Sequence, residues 1–295
     1  MSVPDPPSQL PLEIQSASMR RTVEALLAAA RTDAPIVLRG ELGTEVLDLA
    51  RLAHQESPRR EHRFETLACA SLDQLPVQSL ATTAGGTIFL HEVGELAAPL
   101  QPKLVHLLDA LASRGPPARL VSSNRRDLDE EVTSGRLGAE LCFRVNVVDI
   151  RVPPLRERPE DILPAARGTI LSLSTELGRR APALSAEAAA LLQQYPFPGN
   201  MRELHNLVER ALLLCPGDLL EADAFADINV MKGLGGVRVG EDVKLRDLES
   251  EHVARVIDRV RNLRKAATIL GIDASTLWRI RKRLEHATSG SDKSR

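Results

Sequence analysis

The sequence predicts an α/β fold: a doubly wound parallel-sheet domain, then a helical lid subdomain, then a small all-α C-terminal module. Three observations carry this. Short apolar runs recur with helical patterns between most of them, which is how parallel strands are laid side by side. One of those runs feeds a glycine-rich turn and then a helix. From Ile162 onward helical patterns follow one another without strands, and the chain closes on a basic helical segment.

In order along the chain, residues 1–15 are rich in Pro and Ser and are expected to form an unstructured lead-in. Met19, Val23, Leu26, Leu27 and Ala30 have helical spacing. Apolar runs at 36–38, 65–68, 87–90, 118–122 and 147–152 read as buried parallel strands, with helical patterns notably at 45–54 and 100–111. Helices are expected at 162–176, 186–194 and 202–214. Asn200 with Glu203 three residues on, after a Pro-Gly turn, is a capping-box arrangement that starts the last of these. Residues 231–240 contain four glycines and read as a flexible linker. The predicted organisation is therefore an α/β subdomain at 16–165, a helical lid at 166–230, a linker at 231–243, an all-α module at 244–285 and a frayed tail at 286–295. No internal repeat is visible.

Composition narrows the function classes. Hydrophobic residues are 43% and charged residues 26%, ordinary for a soluble globular chain of 295 residues. No apolar run reaches the roughly 18 residues that span a membrane, and the N-terminus lacks the basic start and apolar stretch of a secretory signal. Cys69, Cys142 and Cys215 are odd in number, widely spaced and set among apolar neighbours, so free thiols in a reducing cytoplasm are expected rather than a disulfide or metal site. Aromatics are 2%, which leaves few platforms for stacking unpaired bases. The net charge of −2 hides an asymmetry. Between Arg255 and Arg283 nine basic residues face two acidic ones, a balance of +7 that leaves −9 on the remainder. A basic C-terminal segment on an acidic body is the footprint of a nucleic-acid-binding module; a solvated helix face is the plain alternative.

The glycine-rich turn carries the most information. Arg39-Gly40-Glu41-Leu42-Gly43-Thr44-Glu45-Val46-Leu47 follows Pro35-Ile36-Val37-Leu38. Strand, glycine turn and helix cradle phosphates with backbone N–H groups. Such a loop normally ends Gly-Lys-Ser/Thr or Gly-Lys-Glu, because the ammonium neutralises the β- and γ-phosphates. Here Glu45 and Val46 stand in those places. The frame is that of a nucleotide-driven machine with its chemistry removed.

Three further segments, Gly85-Gly86-Thr87-Ile88-Phe89-Leu90-His91-Glu92, Pro153-Pro154-Leu155-Arg156-Glu157-Arg158-Pro159-Glu160-Asp161-Ile162 and Tyr195-Pro196-Phe197-Pro198-Gly199-Asn200-Met201-Arg202-Glu203-Leu204, together resemble the AAA+ domain of bacterial enhancer-binding proteins, the sigma-54-dependent activators of the NtrC type. They stand in the family's order and near its spacing, and the resemblance covers about residues 19–284.

The resemblance implies a set of nucleotide contacts, of which part is kept. Gly40, Gly43 and Thr44 keep the first half of the phosphate loop, and Val46 replaces its lysine. Leu90-His91-Glu92 replaces Leu-Asp-Glu, and a histidine is a poor substitute for a carboxylate holding Mg²⁺. Glu92 remains at the water-activating position, with Ala68 where an asparagine would restrain it. Ser123 and Asn124 match the sensor I pair, and Arg202 the sensor II arginine. Of two arginines that reach a neighbouring subunit, Gly138 replaces the first and Arg144 matches the second. The long loop carrying Gly-Ala-Phe-Thr-Gly-Ala, which touches sigma-54, is absent; Cys69 to Gly86 is all that joins the two strands.

The C-terminal segment resembles a Fis-type helix-turn-helix. Ala266-Ala267 and Leu270-Gly271-Ile272 precede a short turn, and Ser275-Thr276-Leu277 opens a basic helix. Ser275 is placed to cap that helix. Thr276, Arg279 and Arg281 are the candidates for base edges, with Lys282 and Arg283 nearer phosphates. Ala266, Ala267, Leu270, Ile272, Leu277 and Ile280 read as core. Leu245, Leu248, His252, Val253, Val256, Ile257 and Val260 form a helical stripe ahead of them.

The expectation is a cytoplasmic, DNA-binding transcriptional regulator on a degenerate AAA+ scaffold, with no sensor domain ahead of it. It should bind double-stranded DNA, self-associate as a dimer or higher oligomer, and contact RNA polymerase or an intact relative, but no membrane. No catalytic residue is expected beyond the remnant Glu92, no metal, and no required cofactor. Weak ATP or ADP binding through Gly40, Gly43, Thr44, Asn124, Arg144 and Arg202 stays open. The rival readings are an ATPase with unusual ligands and a protein that joins and poisons rings of an intact relative.

Overall fold

The computed structural model describes residues 14–226 except Arg114, and then Ile228, Val253, Val256, Ile257, residues 263–273, Thr276 and Leu277. The chain divides after Phe225 into two compact units.

The first unit opens with α1 (Ala17–Ala30), capped by Ser16, whose hydroxyl accepts from the Met19 N–H. The sheet has five parallel strands in the order β2-β3-β4-β1-β5: β1 (Ile36–Arg39), β2 (Phe64–Ala68), β3 (Thr87–His91), β4 (Arg119–Asn124) and β5 (Val148–Arg151). Between them run α2 (Val46–Gln55), α3 (Val77–Ala81), α4 (Gln101–Ala112), α5 (Leu128–Thr133) and α6 (Ala139–Val145). Alternate residues of the strands feed two separate cores, as a sheet covered on both faces requires. Val37, Ile88 and Leu90 pack with Leu104, Val105 and Leu108 of α4. Ile36, Leu38 and Phe89 pack with Leu26 of α1 and Val46 and Leu49 of α2. The doubly wound parallel sheet expected from the sequence is present.

Two buried charged groups fasten α1. Arg119, 2% exposed, donates to the carbonyls of Ala29, Ala30 and Ala34 and so closes the helix C-terminus. Asp161 accepts from the Gln15 and Ser16 N–H groups and the Ser16 hydroxyl, tying the N-terminus to the lid.

The lid holds α7 (Pro159–Glu176), α8 (Ala186–Gln193) and α9 (Asn200–Leu214). It also contains a two-stranded parallel pair, β6 (Ala183–Leu184) and β7 (Leu219–Leu220), where helices in succession without strands were expected. Strands of two residues have no periodicity to read. The capping box at α9 is also corrected. Its N-cap is Gly199, whose N–H donates to Glu203 Oε2 at 2.7 Å, while Asn200 lies inside the helix at φ 51° with its side chain used elsewhere.

In the second unit, α10 (Leu263–Leu270) ends at Gly271, φ 65°, and the Ile272 N–H returns to the Ala267 carbonyl. Val253, Val256, Ala266, Ala267 and Leu277 form its core, with Ile257, Leu270 and Ile272 against them. Leu245, Leu248, His252, Val260, Ile280 and the candidate DNA contacts Ser275, Arg279, Arg281, Lys282 and Arg283 lie outside the described residues. Thr276 is half-buried and, with Leu277, helical. No helix among the described residues is long and apolar enough to cross a membrane.

Candidate functional site

The site forms where β1 runs into α2. Gly40 donates its N–H to the Asn124 carbonyl at the end of β4. Thr44 turns its hydroxyl back onto the Glu41 carbonyl at 2.7 Å. Gly43 sits at φ 80°, and a side chain there would meet the Gly199 carbonyl oxygen at 2.1 Å, so the start of α9 lies directly on the loop. The Arg202 N–H donates to the Gly43 carbonyl at 3.2 Å. The structure therefore gathers Gly40, Gly43, Thr44, Asn124 and Arg202 in one place.

The two departures from a phosphate loop have definite roles. Val46, 8% exposed, is the first residue of α2 and packs into the apolar core beside Leu38, Ile150 and Val152. Glu45 is the N-cap of α2; its carboxylate is buried and pairs with Arg158, which has no exposed surface. A second pair joins Glu41 to both terminal nitrogens of Arg156 at 2.6 Å. The Arg156 hydrogen bond holds the Glu41 carboxyl below its ordinary range, and the same bond raises the Arg156 guanidinium. Asn200, fully buried, donates to the Leu42 carbonyl at 2.9 Å and accepts from the Leu155 N–H at 2.8 Å.

At the end of β3, His91 Nδ1 lies 2.9 Å from the Ser123 hydroxyl, which also accepts from the Glu92 N–H at 3.0 Å. The imidazole stacks on Phe89, with centroids 5.8 Å apart. Glu92 stands at φ 55° and is held by Arg125, 2.9 Å from its carboxylate and 3.2 Å from that of Glu95. Burial, with the Glu92 charge nearby, pushes the Cys69 thiol up to about 12, so it stays protonated and unreactive. No three of His, Cys, Asp and Glu gather as metal ligands among the described residues.

Arg144 stands apart, on the last turn of α6, paired with Asp109 of α4 at 2.5 Å. Its neighbours Phe143 and Val147 are 82% and 58% exposed. Gly138 is the N-cap of α6 and donates to the Gln101 side chain at 2.7 Å.

Sequence reasoning missed Arg156, Arg158 and Arg125 as site residues, and gave Asn200 the wrong task. Two glutamates in a phosphate loop call for positive partners, but nothing local in the sequence says which arginines supply them.

A family model for the sigma-54 interaction domain matches residues 14–155, and one for the AAA+ ATPase lid domain matches residues 156–233. The alginate biosynthesis transcriptional regulatory protein AlgB of Pseudomonas aeruginosa is 34% identical over 92% of this chain and 67% of its own length. The chain belongs to the sigma-54 interaction domain family. Another relative, the response regulator protein PilR of Pseudomonas aeruginosa, is 32% identical over 91% of this chain and 68% of its own. Among solved structures, NtrX from Brucella abortus in complex with ATP superposes with a TM-score of 0.66 at 25% identity, covering 92% of this chain and 69% of that one. This sigma-54 interaction domain chain thus spans about two thirds of the length of the curated relatives it matches. The sheet and lid are those of an AAA+ protein, and its place among transcriptional regulators follows from the family.

Proposed function

We propose that this chain is a DNA-binding transcriptional regulator whose AAA+ scaffold works as a binding and assembly platform without cycling through ATP. One observation carries the reading. At the helix N-terminus where a lysine would face phosphate, the chain has Val46 sunk in the apolar core and the Glu45 carboxylate beside it. Phosphoryl transfer depends on positioned positive charge around the γ-phosphate. A loop that brings two carboxylates and no lysine, with its arginines already paired to them, does not fit a polyphosphate. His91 adds nothing for Mg²⁺, since its ring is stacked and hydrogen-bonded.

DNA contact is assigned to the second unit. Its small apolar core, the Gly271 turn and the basic stretch that follows suit a helix-turn-helix whose second helix enters the major groove. Self-association is assigned to the α6 face, where exposed Phe143 and Val147 flank Arg144. Two such helix-turn-helix modules are expected to pair on DNA, placing two recognition helices on symmetric half-sites.

On output, the connection between β2 and β3 holds only a single 3-10 turn (Cys69–Ser71) and the short α3. It offers no extended loop to press on sigma-54. The protein is expected to leave a sigma-54 closed promoter complex closed in a purified transcription system with no other activator. Open-complex formation under those conditions would overturn this part of the reading.

A further inference from the structure

A glycine-rich turn opening a helix favours negative charge, through its backbone N–H groups and the helix dipole. In this chain the residue at that N-terminus is itself an anion. Glu45 makes no capping hydrogen bond to the backbone; its carboxylate goes to Arg158. The other carboxylate oxygen, Oε1, and the Arg158 Nε and Nη1 atoms are buried with no hydrogen-bond partner among the described residues. A guanidinium withdrawn from water needs a counter-ion, and its planar fork is shaped for a group with several oxygens. Arg158 is the N-cap of α7, the first long helix of the lid. The pair therefore joins the phosphate loop to the lid, as do Glu41–Arg156, the Asn200 side chain and the Gly43–Arg202 backbone bond.

We infer that the Glu45 carboxylate is the built-in anion of the phosphate loop, held by Arg158, and that it latches lid to sheet with no phosphate taken from solution. The inference rests on the reading of the loop as one that does not cycle nucleotide, and it adds what the loop does instead. Glu45 does for the lid what a bound phosphate would do, at fixed stoichiometry and without exchange. Val46 completes the arrangement by filling the space beneath the loop with apolar surface, where its Cγ1 would lie 3.2 Å from a Cβ on Gly40. Glu41 and Arg156 make a second, more exposed clasp on the same seam.

The test is thermal unfolding of the full chain, with inorganic pyrophosphate titrated against chloride at matched ionic strength. The unsubstituted protein should unfold at the same temperature throughout. Glu45→Gly leaves Arg158 without its counter-ion and should unfold roughly 6–15 °C lower. That variant should regain at least half of the loss in low-millimolar pyrophosphate, which re-enters beside Arg158. A response of the unsubstituted protein as large as that of the variant overturns the inference, as does a variant indifferent to pyrophosphate. If Glu45→Gly yields no folded protein, Glu45→Met, Arg158→Met and the double variant decide the matter. Each single change should lower the midpoint, and the double change should return to within a few degrees of the original, because apolar isosteres replace a buried ion pair well. A double variant no more stable than the weaker single one overturns the latch. ATP turnover by the unsubstituted protein would instead defeat the functional reading, and neither unfolding experiment depends on turnover.

Discussion

Purified full-length protein should release phosphate from Mg²⁺-ATP no faster than buffer does. Removing one preorganised charge-stabilising group from a transition-state site costs roughly 10²–10³ in rate. On the proposed reading, the residue at the lysine position is Val46, in the core, and the one at the Mg²⁺ position is His91, held by Phe89 and Ser123. Two such losses place the site roughly 10⁴–10⁶ below an intact one, before the adverse Glu45 charge is counted. Glu92, proposed as the remnant of a water-activating group, is paired instead with Arg125. A phosphate-release assay across successive purification steps checks this. Turnover that follows the protein and disappears in Glu92→Gln would contradict it; weak ATP or ADP binding without turnover is compatible with it.

On DNA, Arg279→Ala should weaken binding to the preferred duplex by about 1–3 kcal/mol, roughly 5- to 150-fold, and relax preference at one position per half-site. A guanine edge accepts a bidentate guanidinium in the major groove, and that pairing carries sequence information. Lys282→Ala should act differently. Removing a phosphate-facing ammonium weakens all sequences alike and lowers the slope of log affinity against log salt by about one. With two modules paired, the half-sites should lie about one helical turn apart, roughly 34–36 Å. Fluorescence titrations over a salt series separate the two behaviours. A folded full-length protein with no preference for any duplex over random competitor would remove the recognition-helix assignment.

The sheet was legible because its central strands, β1, β3 and β4, are buried on both faces. Runs such as Thr87–His91 and Arg119–Asn124 carry few exposed positions, and their glycine and proline borders mark the turns. The phosphate loop was legible for the same local reason: strand, glycines and helix are consecutive in sequence. The loop's partners were not. Glu45 meets Arg158 across 113 residues and Glu41 meets Arg156 across 115, and single-sequence patterns do not encode such pairings. Asn200 resembled a cap because its neighbours have cap spacing, yet its buried amide satisfies Leu42 and Leu155, and its left-handed backbone sets that direction. Arg119 had no visible signal at all, since the carbonyls it closes become neighbours only after α1 docks on the sheet. In the second unit, Ala266, Ala267 and Leu277 stand in the core with Leu270 and Ile272 packed against it, as the helix-turn-helix resemblance implied.

The central claim is that this scaffold holds its working arrangement without nucleotide. The most direct measurement is the affinity of the full-length protein for a duplex it has itself selected from random sequence, with and without millimolar Mg²⁺-ATP at constant ionic strength. The expected affinities are equal within about twofold, a difference below roughly 0.4 kcal/mol. A change of tenfold or more on adding ATP would contradict the claim.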